Sequence, residues 1–133
     1  MLAIGASATA TLTVEEKHLA RAVAIEADDS FPPVFATAHM IALMEVAGAR
    51  AMQPLLQVGE LSVGVEVNVR HSAATPLGDD VRAIATFTGM QGKFYAFDVV
   101  AEDGRGEIGR GTHLRAIVSE QRLLDGISKR SGQ

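Results

Sequence analysis

The chain has 133 residues, 47% hydrophobic and 21% charged, with a formal net charge of −4 and no cysteine. That length suits one domain with a real core, and the acidic balance argues against a general nucleic-acid binder. Without cysteine, disulfides, thiolate metal sites and cysteine nucleophiles are excluded.

The opening MLAIGASATA ends in small residues like a secretory cleavage site. It lacks a basic leader region and its apolar run is short, so the expected location is cytoplasmic. No apolar run approaches the roughly 20 residues needed to cross a bilayer, and no membrane association is expected. Residues 7–14 alternate weakly and predict a first strand. Residues 15–33 carry no clear period and end at Pro32-Pro33. A long helix is predicted from Pro33 or Val34 to Met52, stopping before Pro54.

The period then changes. In LSVGVEVNVRH, residues 61–71, Val63, Val65, Val67, Val69 and His71 fall on one face of a strand. ATPLGDD breaks it, and further strands are predicted over Val81–Thr88, Phe94–Glu102 and Glu107–Ser119, joined by GMQGK and DGRG turns. The polar tail 120–133 is expected to fray. One long helix followed by an antiparallel meander predicts an α+β fold in which the sheet wraps the helix. The sheet shows no Pro or bulge guarding its edges, so a dimer that extends it is expected.

Within this frame one residue is out of place. Glu45 lies in the helix among alanines, methionines, Leu43 and Val46. Its neighbours three and four positions away are Ile41, Ala42, Gly48 and Ala49, none of them charged. A buried carboxylate without a partner is costly, so such a group has either a structural partner or a task. His71 continues the valine face that must pack on this helix, so the two are expected to meet at the helix–sheet interface or its rim. Thr37, two turns before Glu45, has a bland reading as a first-turn residue that bonds the backbone. His18 and His39 read as surface or rim residues, and His113 shares a strand face with Arg115. The histidines lack acidic neighbours at metal-ligand spacing, so no metal site is expected. Serine-hydrolase elbows, P-loops and dinucleotide fingerprints are absent from the sequence.

The runs PPVFATAHMIALMEVAGARAM, SVGVEVNVRHSAATPLGDDV and GRGTHLRAIV together resemble the fluoroacetyl-CoA thioesterase family of hotdog-fold proteins. The resemblance covers residues 30–118. It rests on a threonine in an FAT helix start, a glutamate eight residues on in LMEVA, and a histidine at a strand end. It implies a single hotdog domain over 1–133, paired as a homodimer. It further implies hydrolysis of a small acyl-CoA thioester to the acid and CoA, with Thr37, Glu45 and His71 catalytic and Gly64 and Arg115 binding substrate. CoA enters as part of the substrate, with no separate cofactor. Glu45 is read as nucleophile or base, His71 as proton shuttle, and Thr37 as orienting group or nucleophile. Arg70, Lys93 and Arg110 are the cations considered for the CoA phosphates. Two other classes stay open: a non-catalytic acyl-CoA or small-ligand binding protein, and a hotdog hydratase or dehydratase.

Overall fold

The computed structural model describes residues 1–132. Five antiparallel strands, β1 (Ser7–Thr13), β2 (Glu60–His71), β3 (Asp80–Gln91), β4 (Phe94–Asp103) and β5 (Gly106–Ser119), form one sheet in the order β1-β3-β4-β5-β2. The long helix α1 (Thr37–Met52) packs against all five strands, and a second helix, α2 (Glu120–Arg130), follows β5 directly.

Helix α1 is built from strong helix formers, alanine, methionine and leucine. It begins later than the sequence predicts. Residues 33–36 stay extended because the chain there bridges to its neighbours, Val34 to Pro76 and Phe35 to Leu19. Its buried residues are Met40, Leu43, Met44, Ala47, Gly48, Ala51 and Met52, spaced three and four apart. They meet a sheet face of Val81, Ala83, Ala85, Phe87, Phe97, Val99, Ala101 and Ile108. Small residues on both surfaces let helix and sheet approach closely. The unreadable stretch before the helix contains two short 3-10 turns, at Glu16–His18 and Ala20–Val23.

Three expectations change. The valine face of β2 is not continuous, because a β-bulge between Gly64 and Glu66 reverses the alternation. Ser62 and Gly64 face the helix before it, whereas Val67, Val69 and His71 do so after it; Val65 is exposed. That bulge lies on an edge strand, so the edge is not unguarded. Finally, the tail is helical rather than frayed over Glu120–Arg130, with the Ser119 hydroxyl accepting from the Arg122 N–H.

Candidate active site

The segment joining β2 to β3 fixes the entry to α1. Thr75 is fully buried, and its hydroxyl donates to Asp103 Oδ2 at 2.7 Å. Its carbonyl accepts from the Phe35 N–H at 2.8 Å, and Ser72 N–H donates to the Ile108 carbonyl at 2.7 Å. The start of α1 is thereby held against the end of β2.

Thr37 and His71 meet there, with Oγ1 and Nδ1 2.7 Å apart. Thr37 therefore makes a long-range bond rather than the local backbone bond of the bland reading. Burial pushes the His71 imidazole below its ordinary pKa, and the Ala73 backbone offsets this in part. In the tautomer with Nδ1 bare, a neutral ring so placed can accept the hydroxyl proton. Nε2 of the ring is buried without a hydrogen-bond partner among the described residues. The pair sits in a cleft of about 400 Å³, walled by Phe31, Pro32, Val34 and Phe35 on one side and Ser72–Ala74 on the other. At the same place the N–H groups of Thr37 and Ala38, at the positive end of α1, donate to no described acceptor.

Glu45 lies elsewhere in the chain. It is two turns, about 12 Å, further along α1, and it does not line the cleft. Its side chain is 42% exposed and stands 3.6 Å from Nη1 of Arg115, which is almost wholly buried. It opens instead onto a shallow hollow with Ala42, Val46, Ala49 and Arg115. Gly64 completes this group: a Cβ there would come within 3.0 Å of Glu45 Oε2 and of His113 Cε1. The candidate residues thus form two clusters in one chain, Thr37 with His71, and Glu45 with Gly64 and Arg115. The expected meeting of Glu45 and His71 does not occur within a single copy.

Two histidines differ from their reading as surface residues or as undecided ones. His18 is buried, with Nδ1 accepting from the Glu15 N–H at 2.9 Å and its ring edge-on to His39. His113 is only 1% exposed and belongs to the Glu45 cluster. Its spacing of two from Arg115 on a strand was the signal, since it puts both side chains on one face. Of the cations considered for the CoA phosphates, none lines the cleft. Arg110 is paired with Glu107, and Lys93 lies over the Phe94 ring.

A single antiparallel sheet packed on one long helix is the hotdog fold of the thioesterase superfamily. The chain belongs to the fluoroacetyl-CoA-specific thioesterase family, whose model matches residues 14–121. An 88-residue stretch is 48% identical to the fluoroacetyl-CoA thioesterase of Streptantibioticus cattleyicolor, covering 66% of this chain and 63% of that protein. The aligned stretch therefore spans less than two thirds of that relative. The crystal structure of a fluoroacetyl-CoA thioesterase superposes with a TM-score of 0.91 at 36% identity, covering 97% of each chain. A variant of it in complex with fluoroacetate and CoA gives 0.85 at 37% identity, covering 91% of this chain and 98% of that one. A thioesterase superfamily member from Thermus thermophilus gives 0.88 at 26% identity, covering 99% and 95%.

Proposed function

We propose that the protein hydrolyses a small acyl-CoA thioester, using Thr37 as nucleophile, His71 as its base and Glu45 supplied by a second copy. The observation that carries this reading is the 2.7 Å contact between Thr37 Oγ1 and His71 Nδ1 in an apolar cleft. Thr37 Oγ1 attacks the thioester carbonyl carbon while its proton passes to Nδ1. The resulting oxyanion is met by the free N–H groups of Thr37 and Ala38, aided by the helix dipole. The C–S bond then breaks, and the leaving thiolate takes the proton from His71. Water attacks the acyl-threonine ester and gives its proton to the partner's Glu45 or to His71; the acyl C–O bond breaks, Thr37 Oγ1 takes that proton back, and the acid departs.

The second copy accounts for Glu45. Along its exposed side α1 presents Ala38, Ala42 and Val46, an apolar stripe uncharged as far as Arg50. Two such helices packed antiparallel about a two-fold axis near Ile41 would set Thr37 of one copy level with Glu45 of the partner subunit. The free edge of β2, with exposed Val65 beside Gly64, borders the same surface. Gly64 and Arg115 would then approach the acyl group from the partner's side, and CoA would extend out along the joint.

A panel of short, medium and aryl acyl-CoAs, fluoroacetyl-CoA included, tests this by detection of released thiol. Turnover of the short acyl-CoAs is expected. Binding of acyl-CoA without thiol release would favour the non-catalytic reading, and hydration of an enoyl-CoA without thiol release would favour a hydratase.

A further inference from the structure

The buried pair His113 and Arg115 sits behind Glu45, and His113 has no role in the steps above. Arg115 is 4% exposed, and each edge of its guanidinium is engaged. Nε donates to Ser62 Oγ at 3.0 Å, Nη2 to the Ser62 carbonyl at 2.9 Å, and Nη1 to His113 Nε2 at 3.0 Å. Nη1 also lies 3.5 Å from the Glu45 carbonyl and 3.6 Å from Glu45 Oε2. The other nitrogen of His113, Nδ1, is 2.9 Å from the Glu66 carbonyl, in the strand just past the β2 bulge.

These contacts fix the tautomer. A carbonyl can only accept, so Nδ1 carries the proton. A guanidinium can only donate and stays charged, so Nε2 must be bare. Burial above all holds the imidazole below its ordinary pKa; the Glu66 carbonyl opposes it, and Arg115 and Glu45 add smaller effects of opposite sign. The space is made for this ring. A Cβ at Gly48 would stand 3.2 Å from His113 Cδ2 and 3.1 Å from Arg115 Cδ.

We propose that His113 is a positioning residue, whose bare Nε2 holds Arg115 Nη1 so that the guanidinium faces Glu45 without closing on it. At 3.6 Å the arginine supplies attraction but no fork of short hydrogen bonds. The carboxylate keeps its lone pairs for substrate or water. Without an acceptor at position 113, Nη1 would lose its short bond and keep only the long one to the Glu45 carbonyl at 3.5 Å. The carboxylate of Glu45 is the available replacement, and a guanidinium clamped there would remove it from the chemistry.

This inference rests on the hydrolytic reading, and its test separates the two. Nitrogen-15 NMR of the imidazoles in the wild-type protein reads the tautomer without any substrate. A protonated Nδ1 and bare Nε2 are expected for His113, and a protonated Nε2 would overturn the proposal whether or not the protein hydrolyses acyl-CoA. Kinetics supply the second arm. His113→Leu keeps the bulk but offers no acceptor, and kcat should fall roughly tenfold to a hundredfold with KM little changed. His113→Gln restores an acceptor near Nε2 and should recover most of that rate. Equal losses in both variants, or a wild-type kcat in His113→Leu, would overturn it. Should His113→Leu fail to fold, His113→Gln decides alone: folded with near-wild-type kcat supports the proposal, folded and inactive refutes it. Absence of hydrolysis in the wild type would instead refute the reading of function.

Discussion

Thr37 and His71 come from positions 34 residues apart in sequence, yet their contact is direct. If the hydroxyl is the nucleophile, Thr37→Ala should lower kcat by at least the ~10²–10⁴-fold typical of losing a proton-transfer partner. Thr37→Ser, which keeps an oxygen there, should retain measurable turnover. His71→Ala should cost about as much, and the double variant little more, because the two act as a unit. Steady-state thiol release measures all of these. His71 must be neutral to accept the proton, and burial lowers its pKa from the ordinary 6.5. The acid limb of kcat/KM should therefore lie below pH 6.5 rather than at it. The same sign governs stability. His18, His71 and His113 all have folded pKa values lowered by burial first of all. Between the folded and unfolded values the unfolded chain binds more protons, so stability is full above about pH 6.5 and falls as pH drops below it. Melting temperatures at pH 7.5 and pH 5 check this, and a rise on acidification would contradict it.

Among the elements, β2 gives each cluster a residue, His71 to one and Gly64 to the other, and β5 adds Arg115. Gly111 of β5 has no room for a side chain, since a Cβ would collide with the Asn68 carbonyl and lie 2.6 Å from Val69 Cα. Gly111→Ala should force the β2–β5 pair apart and destabilise the fold by about 1–3 kcal/mol or more, read from denaturant midpoints. α2 is the opposite case. None of its residues is buried, so ending the chain after Ser119 should change the melting temperature by only a few degrees. The helix was legible in the sequence because its apolar residues recur three and four apart, and β3 because it alternates from Asp80 to Phe87, before an irregularity at Gly89. The bulge at Val65 was not, because a run of alternating valines reads as an unbroken strand whichever residue is extra. α2 was missed for another reason: EQRLLDGISKR is polar and carries Gly126 within it, so propensity alone spoke weakly for a helix. His113 was placed on the right strand face but left undecided. Its partner on β2 is a backbone carbonyl freed beside that bulge, which no side-chain pattern announces.

At the scale of the molecule, one copy holds two separate groups about two helical turns apart. The odd carboxylate of α1 was legible as a residue with either a partner or a task, and the structure sets it beside Arg115. The distance from Glu45 to His71 was not, because periodicity gives the face of a helix and not which turn meets the strand end. The apolar helix face beside Glu45 is the surface on which a second copy would complete the site. Light scattering at micromolar concentration should accordingly give a dimer or a larger even assembly. A monomer would remove the route by which Glu45 reaches the cleft.

The most direct test mixes two inactive proteins. Thr37→Ala and Glu45→Gln should each release little thiol from an acyl-CoA that the wild type hydrolyses. If each site takes Thr37 and His71 from one copy and Glu45 from the other, a mixed dimer contains one site with both lesions and one with none. After unfolding and refolding in equal amounts, random pairing should restore about a quarter of the wild-type rate. A mixture no more active than its components, with mixed dimers shown to be present, would contradict a site shared between two copies.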